Sequence, residues 1–488
     1  MDLRARIAER LAAETGTLFK DAPERVALVY PSPYSVGMSS LGFLTIYREI
    51  NARPGRAAER AFLPDEDAPK TGTLTTYESG TPVGNFRVVA LSVAYELELA
   101  GVARVLEASG IPPLAADRDE RHPFILCGGP LTNSNPLPLA PYADAIVMGE
   151  ADELVHGVLD VIFGASSKHE ALATLARTPG CFVPDAHGLS LPDLAKADHD
   201  KLPAFSPIRT PHTELSDMFL IEAERGCSRG CAYCVMRRST NGGMRIVDKD
   251  HLLGLVPSDA RKVGLVGAAV SDHPKIVEIV ETLASQGRQV SLSSLRPDRL
   301  NDAFVAALKK GGARILTTAL DAPSQRLRDS ISRKAREQHL VRAAELAKLH
   351  GYKHLKLYMM VGLPGEEDED IDELVRFATE LSKIHPLALG IAPFVAKRNT
   401  PLDGQPFAGI KLVDRRLERL ARGLKGRVDV RSTSARWAWI EYVLAQGGPT
   451  EGRAVLEATR AGGRFADYKR AFESLPSETP RRALRIVQ

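Results

Sequence analysis

Short apolar runs alternate with helical patterns along most of this chain, and the alternation limits the possible folds more than any other feature. In the first third, nearly continuous apolar runs cover residues 25–30, 87–93, 124–129 and 144–149. Such runs are typical of strands buried on both faces of a helix-covered parallel sheet. Because helical patterns separate them, a doubly wound, Rossmann-like α/β domain is predicted over residues 1–177.

A second alternating series follows a Pro-, Gly- and polar-rich stretch at 178–211, which is typical of a linker. Its strand-like runs cover residues 218–224, 262–268, 289–294, 313–320, 354–362 and 388–395. Helical patterns follow the first five runs, and six βα repeats indicate a partial or complete barrel over residues 212–408. The remaining segment, 409–488, lacks strand alternation and is predicted to be small and mainly helical.

No targeting or membrane segment is predicted. The first residues interleave arginines with Leu3, Ile7 and Leu11, which is the pattern of an amphipathic helix and not of a signal peptide. No run reaches the ~18 apolar residues that a membrane span needs. The expected compartment is therefore the cytoplasm, where thiols stay reduced.

Positive charge is concentrated near the end of the chain. Residues 411–488 contain 17 Lys and Arg against 9 Asp and Glu, while the formal net charge of the whole chain is +3. A basic segment can contact an anionic substrate or nucleic acid. Solvated helix surface is the favoured explanation because no RGG, RS or lysine-rich tract is present, and nucleic acid is not expected as a partner.

Three of the five cysteines form a CxxxCxxC pattern in the stretch ERGCSRGCAYC; they are Cys227, Cys231 and Cys234. The stretch follows the first strand of the second series, at the edge where active sites of βα folds collect. Reduced thiols disfavour a disulfide, and a closed zinc site needs a fourth ligand that no second CxxC provides. Three thiolates can instead bind an iron–sulfur cubane and leave its fourth iron open to a small molecule.

The same stretch, with Tyr233 before the last cysteine, resembles the signature of the radical S-adenosylmethionine (SAM) superfamily. The resemblance continues through SSLRPDRL (293–300), TTALDAPSQRLRDSISRK (317–334), KLYMMVGLPGEEDEDIDEL (356–374) and APFVAKRNTPLDG (392–404). It implies a partial (βα)6 barrel in which the three cysteines bind a [4Fe–4S] cluster and are the catalytic centre. The open iron would bind the amino and carboxylate groups of SAM, and an electron from a flavodoxin or ferredoxin would drive cleavage to a 5′-deoxyadenosyl radical.

The resemblance also implies roles for individual residues around SAM. Tyr233 would lie near the adenine, and the Gly-rich GLVGAA (264–269), which contains Gly267, would contact the methionine amino group with Asp272 as the nearest carboxylate. Ser293, Ser294 and Arg296 fall where the family binds ribose and carboxylate groups. Asp321 stands where relatives often have Glu, and this shorter acid would contact the ribose. Turn chemistry explains the glycines of GLPG (362–365) equally well.

The first domain resembles the domain that precedes the radical core in cobalamin-dependent relatives. The resemblance lies in YPSPYSVGMSSLGFLTIYREIN (30–51) and in the GGP…NP…D…GE series within residues 127–153. Many cobalamin domains ligate cobalt through a DxHxxG histidine, whereas the first histidine of this chain is His122. Two alternatives stay open: cobalamin bound without a protein ligand to cobalt, or the same fold without the corrin.

These observations lead to three hypotheses. The leading one is a radical SAM enzyme that, if cobalamin binds, methylates an unactivated carbon of an organic substrate. The second is radical oxidation, rearrangement or cyclisation without cobalamin. The third is a cluster-bearing electron carrier or scaffold, which the SSLRPD and GLPGE segments disfavour. A methylthiotransferase is also disfavoured, because Cys127 and Cys181 are too few for a second cluster.

Overall fold

The computed structural model describes residues 3–65, 72–236 and 243–475. These residues divide into two compact units. The first unit contains the described residues up to Phe219 and those from Val443 onward, and the second is Leu220–Tyr442. No helix within the described residues is both long and apolar enough to cross a membrane.

The first unit is built on a six-stranded sheet. The strands are β1 Glu24–Pro33, β2 Arg56–Leu63, β3 Val88–Ser92, β4 Phe124–Gly128, β5 Ala145–Val147 and β6 Cys181–Phe182. Their order is β2-β1-β3-β4-β5-β6, and all neighbouring pairs are parallel except the β5–β6 pair. This order confirms the predicted doubly wound sheet, and the direction of winding reverses between β1 and β3.

Helices of the first unit up to Phe219 are α1 Leu3–Ala13, α2 Tyr34–Gly37, α3 Leu41–Ala52, α4 Leu99–Ala108, α5 Leu154–Gly164, α6 Lys168–Leu175 and α7 Pro184–His187. Helix α3 begins after Ser40, whose hydroxyl accepts a hydrogen bond from the Phe43 N–H and so caps the first turn. The apolar face of α3 then packs into the main core beside β1 and β2.

Strand β2 was not predicted from the sequence pattern. Three of its eight residues are charged, namely Arg56, Glu59 and Arg60, yet all three are buried. Ion pairs compensate the burial of Arg60, which contacts Glu14 at 2.7 Å and Glu78 at 2.6 Å. Because strand prediction relied on apolar runs, buried ion pairs concealed this strand at the edge of the sheet.

Most strands of the second unit form two parallel sheets. The strands are β7 Met218–Glu222, β8 Glu224–Gly226, β9 Met244–Ile246, β10 Lys262–Val266, β11 Gln289–Leu292, β12 Leu316–Asp321, β13 Leu355–Val361, β14 Leu387–Pro393 and β15 Asp429–Ser432. One sheet has the order β11-β10-β7 and the other β12-β13-β14-β15, while β8 and β9 form a separate antiparallel pair. The six predicted strands of the partial barrel are all present.

Helices follow most of these strands, as a βα series requires. They are α8 Lys249–Leu255, α9 Ile276–Ser285, α10 Asp302–Lys310, α11 Gln325–Ser330, α12 Glu337–Leu349, α13 Asp368–Ile384 and α14 Ile410–Leu424. The α/β fold class is therefore confirmed for both units.

The C-terminal part is less purely helical than the sequence indicated. Strand β15 pairs in parallel with β14, so the second sheet extends beyond the six predicted strands. Its four residues are mostly exposed and polar, which leaves no apolar run to reveal it. The helices that follow are α15 Ala435–Gln446, α16 Pro449–Arg460 and α17 Phe465–Glu473, of which α16 and α17 belong to the first unit. Residues 476–488 of the predicted segment lie outside the described residues.

Candidate functional site

The loop after β8 carries the three predicted cluster ligands, Cys227, Cys231 and Cys234. Gly226 enters the loop with φ +95°, in the left-handed region that glycine tolerates without strain. Ala232 anchors the loop by donating its N–H to the carbonyl of Ile331 at 2.9 Å. All three cysteines are free thiols with partly exposed side chains, so the loop presents them in reduced and accessible form.

Two arginines lie beside these thiols. The Arg333 guanidinium lies near Cys231 and interacts with it electrostatically, and the backbone N–H of Arg229 donates to the Cys227 sulfur at 3.4 Å. Burial raises the pKa of Cys227 and Cys234, so their thiolates depend on a metal or a nearby positive charge for stabilisation. The arginines place such charge at the loop.

The donor set of this loop consists of three thiols. Within the ranges that the structure describes, no three His, Cys, Asp or Glu side chains are placed to hold one ion. A tetrahedral zinc ion needs its ligands to converge on one point, whereas each thiolate of an iron–sulfur cubane binds a different iron. A set of three thiols on one short loop matches the ligands of a cubane whose fourth iron stays open.

Asp321 and Tyr233 meet next to the cysteine loop. Asp321 ends β12 with φ +69°, an uncommon backbone conformation for a residue with a side chain. Its carboxylate pairs with Arg333 at 2.5 Å and lies near the Tyr233 hydroxyl. Burial raises the pKa of Asp321, although Arg333 and Tyr233 act in the opposite direction. Arg333 thus links the acid of β12 to Cys231.

Asp272 is surrounded by arginines. Its carboxylate oxygens accept hydrogen bonds from Arg229 at 3.0 Å, Arg296 at 3.1 Å and Arg299 at 2.8 Å. Burial alone would raise the pKa of Asp272, but the arginines outweigh it and hold the pKa below its usual value. Asp272 therefore holds Arg229, which belongs to the cysteine loop. The carboxylate oxygens of Asp272 are already engaged by guanidinium groups.

The predicted serines join the carboxyl ends of β10 and β11. The Ser293 hydroxyl accepts from the Gly267 N–H at 3.1 Å and lies 2.9 Å from the carbonyl oxygen of the same glycine. Ser294 donates to that carbonyl at 3.2 Å and accepts from the Val270 N–H at 3.1 Å. Ser293 remains exposed, so a ligand at this edge can still reach its hydroxyl.

Glu224 is a candidate that the sequence reasoning missed. Its side chain is 0% exposed, Oε1 accepts from the Ala269 N–H at 2.6 Å, and Oε2 has no hydrogen-bond partner among the described residues. A Cβ at Gly267 would lie 2.2 Å from Oε1, so the carboxylate occupies space that only glycine leaves free. Burial raises the pKa of Glu224 to about 7. The signal in the sequence was an acid at a strand end, three residues before the first ligand cysteine.

The GLPGE turn makes internal contacts. Gly362 and Gly365 have φ +89° and +72°, and the Glu366 carboxylate accepts N–H bonds from Gly362 and Leu363. Arg416 pairs with Glu366 at 3.1 Å, and both side chains are buried. These contacts explain the two glycines through turn geometry and connect the end of β13 to α14.

The first unit presents apolar side chains where its sheet reverses direction. Val36 lies in α2 directly after β1, and Tyr95 follows β3; each side chain is 47% exposed. After β4, Gly129 has φ +104°, and a Cβ there would lie 2.6 Å from the Val93 carbonyl oxygen. Open α/β sheets bind ligands at such a reversal, outside the carboxyl ends of the strands. Tyr34, in the same helix as Val36, is buried, and its hydroxyl donates to the Glu14 carboxylate at 2.7 Å.

Cys127 and Cys181 lie on strands β4 and β6 of the first unit. Both are buried free thiols, and burial raises the pKa of each. They pack as small apolar side chains in the sheet layer.

Two family models match this chain. Residues 42–184 match the model described as the N-terminal region of radical SAM proteins, and residues 221–378 match that of the radical SAM superfamily. An uncharacterised protein of Methanocaldococcus jannaschii is 27% identical over 400 residues, which cover 79% of this chain and 80% of that protein. The ribosomal protein uS12 methylthiotransferase RimO of Geotalea uraniireducens is 25% identical over 257 residues, covering 49% of this chain and 56% of RimO.

Solved structures of similar fold include the radical SAM methyltransferase TsrM from Kitasatospora setae, with cobalamin and a [4Fe–4S] cluster bound. The comparison of this chain with TsrM has a TM-score of 0.54 at 13% sequence identity, and it covers 82% of this chain and 75% of TsrM. The cobalamin-dependent SAM radical enzyme OxsB, in its apo form, has a TM-score of 0.52 at 11% identity, covering 94% of this chain and 74% of OxsB. At these identities the similarity concerns the fold.

Proposed function

Because this chain belongs to the radical SAM superfamily, we propose that it binds a [4Fe–4S] cluster and SAM and begins radical chemistry on an organic substrate. The observation that carries the proposal is the loop after β8, where three free, accessible thiols lie inside the matched residues 221–378. When bound and reduced, the cluster supplies the electron that breaks a carbon–sulfur bond of SAM. Reduction of the cluster requires an electron donor, and the free thiols require a reducing compartment such as the cytoplasm.

The chain's own residues would hold and shield this centre. Cys227, Cys231 and Cys234 would each bind one iron. Arg333, through its contacts with Cys231 and Asp321, would keep the loop against the end of β12. Positive charge close to the thiolates also offsets the negative charge that the loop gathers when it holds a cluster.

Glu224 would accept the ammonium group of SAM. Asp272, the carboxylate suggested by the sequence, already contacts three arginines, whereas Oε2 of Glu224 has no partner among the described residues. A buried carboxylate without a cation is costly, so an ammonium group that reaches it gains a charge-assisted hydrogen bond. Gly267 leaves room for the Glu224 carboxylate, and the exposed Ser293 hydroxyl at the same edge would contact the nucleoside part.

Glu224→Gln is therefore expected to weaken SAM binding about 10-fold to 100-fold, since hydrogen bonds to charged groups are worth about 1.5–3 kcal/mol. The measurement is equilibrium dialysis of labelled SAM against the reconstituted protein, with iron content checked in parallel. Glu222→Gln is the matched control, because Glu222 lies on the same segment and pairs with Arg225 at 2.8 Å. Equal affinity of Glu224→Gln and wild type would contradict the assignment.

The proposed activity is tested with the wild-type chain. After anaerobic reconstitution with iron and sulfide, addition of dithionite and SAM is expected to produce 5′-deoxyadenosine, detected by chromatography. Reactions without dithionite and with unreconstituted protein are the controls. A redox-active cluster without nucleoside product would support the electron-carrier alternative and overturn the enzyme proposal.

We further infer that the first unit binds cobalamin and that the reaction is methylation of a substrate carbon. Exposed Val36 and Tyr95 at the reversal between β1 and β3 suit a large flat ring system, and TsrM, of similar fold, carries cobalamin. The region after β1 has no histidine, so cobalt would have no imidazole ligand from it. Incubation with hydroxocobalamin followed by desalting is expected to leave a corrin spectrum. Colourless protein would remove the methyltransferase proposal and leave oxidation, rearrangement or cyclisation.

A further inference from the structure

One face of strand β13 is left open. Along β13 the residues Leu355, Leu357, Met359 and Val361 are buried, whereas the alternating residues Lys356, Tyr358 and Met360 are partly or fully exposed. Side chains two residues apart point to the same side of a strand, so the exposed residues share one side of the sheet. We call this side, with the residues in register on the neighbouring strands, the open face.

A glycine lets Tyr358 lie flat on the open face. Gly390 of β14 is in register with Tyr358, and a Cβ at Gly390 would lie 2.8 Å from two carbons of the tyrosine ring. The Lys356 ammonium lies 4.6 Å from the centroid of the same ring, within cation–π range. Tyr358 is nevertheless 48% exposed, so the ring and the ammonium are both accessible to a ligand.

Lys356 carries a positive charge on the open face and has no anionic partner among the residues that the structure describes. Arg431, in register with Gly390, pairs with Asp429 at 3.1 Å, and Asp321 at the end of β12 pairs with Arg333. Among the described residues, the Lys356 ammonium forms neither an ion pair nor a hydrogen bond, and its contact is the Tyr358 ring. The open face therefore carries one uncompensated positive charge beside an exposed aromatic ring.

We propose that Lys356 and Tyr358 form a subsite for an anionic group, a carboxylate or a phosphate, on a small organic substrate. This inference rests on the proposed function, because it identifies the open face as the side on which the substrate binds. Tyr358 is in register with Ala319 on β12; the register then shifts, so that Asp321 is in register with Met359, the next residue along β13. A substrate held by its anion at Lys356 would thus extend along β12 and β13 toward Asp321 and the cysteine loop.

The subsite is tested with three probes of similar shape: phenylacetate, phenyl phosphate and neutral phenylacetamide. Their binding to the reconstituted full chain is measured by saturation-transfer NMR titration. At least one acid is expected to bind, and the amide is expected to bind at least tenfold more weakly, since a charge-assisted contact is worth about 1.5–3 kcal/mol. Binding of one acid alone assigns the anion as carboxylate or phosphate. Binding of neither acid, or equal binding of the amide, would overturn the proposal.

Two variants make the test specific. Lys356→Gln is expected to weaken acid binding about tenfold through loss of the charge. Gly390→Ala keeps the charge but displaces the exposed Tyr358 ring, and is expected to weaken binding several-fold with little change in thermal stability. Lys309→Gln is the matched control, since Lys309 lies 5.0 Å from the Tyr352 ring outside this face. Unchanged acid binding in Lys356→Gln contradicts the subsite.

Measurements on the wild type and on Lys356→Gln distinguish a failure of the anion subsite from a failure of the proposed function. Formation of 5′-deoxyadenosine without substrate depends on the cluster and SAM, so Lys356→Gln is expected to retain it. Failure of the wild type to form the nucleoside would overturn the enzyme proposal, whereas failure of the acids to bind an active wild type would overturn only the anion subsite.

Discussion

Replacement of all three loop cysteines by alanine is expected to abolish both the iron–sulfur absorbance and SAM cleavage after reconstitution. This triple variant changes Cys227, Cys231 and Cys234. The three thiols lie on one loop and are the accessible cysteines of the described chain. Iron–sulfur clusters depend on cysteine thiolates for their attachment to the protein. Without them, the other polar groups described at this site are guanidinium, carboxyl and hydroxyl groups, which do not replace sulfur ligands. Iron and sulfide analysis, the visible spectrum and 5′-deoxyadenosine formation are the three measurements.

The matched control replaces the other two cysteines, Cys127 and Cys181, with alanine. Both are buried in the sheet of the first unit, so their loss is expected to cost about 1 kcal/mol of stability in each case and no iron. Cluster content equal to wild type in the triple variant would refute the ligand assignment. Loss of the cluster in the Cys127 and Cys181 control would also refute the ligand assignment, because it would implicate the first unit in cluster binding.

Gly452→Leu is expected to displace helix α16 from the segment around Pro138, against which it packs within the first unit. A Cβ at this position would lie 2.0 Å from the carbonyl oxygen of Pro138, and that backbone atom cannot move aside like the end of a flexible side chain. The helix is also held by Tyr142, whose hydroxyl donates to the Gly452 carbonyl at 2.7 Å. Overpacking costs about 1–3 kcal/mol and a lost hydrogen bond about 1 kcal/mol, so we expect a loss of roughly 2–4 kcal/mol.

The measurements are the thermal unfolding midpoint and limited proteolysis of the C-terminal helices. Gly157→Leu is the matched control, because Gly157 is also in a helix, is exposed, and leaves open space within 4 Å of where a Cβ would lie. Leucine there is expected to leave the midpoint unchanged or slightly higher, since leucine favours helix more than glycine does. Equal destabilisation by both substitutions would show that the close approach of α16 is unimportant.

Asn135 explains why the NP element of the GGP…NP…D…GE series accompanies these helices. Its side-chain amide lies 2.9–3.1 Å from three carbonyl oxygens, those of Leu444, Ala445 and Gly447, at the end of α15. Unpaired carbonyls at a helix end need such partners when they are buried. The element therefore has a structural role within the first unit, whatever the unit binds.

The strands that the sequence predicted and those that it missed differ in one respect. Predicted strands such as β4 and β13 are rich in apolar residues, and burial on one or both faces follows directly from that composition. Strand β2 is buried through Arg60 and its two glutamate partners, and β15 is short, polar and exposed. A pattern of apolar residues cannot identify a strand whose place in the sheet depends on ion pairs or on pairing with a single neighbouring strand.

The same distinction applies to the candidate site. The cysteine spacing is a local property of eight residues, so the sequence was sufficient to single out this loop as a candidate site and to place it after the first strand of the second series. The partners of the acids are not local. Arg229 reaches Asp272 across 43 positions, and the Ala269 N–H reaches Glu224 across 45. Which carboxylate is already paired and which has a free oxygen depends on these long-range contacts.

The sequence by itself determined the α/β class, the strands of both series that are apolar, and the three thiols with their spacing. These features depend on interactions between neighbours in the chain, for which periodicity and composition are sufficient. Only the tertiary structure decided that Asp272 is enclosed by arginines, that Glu224 lies against Gly267, and that Asn135 reaches Leu444 across 309 positions. Such pairings arise when distant segments pack together, and no local pattern records which segments will meet.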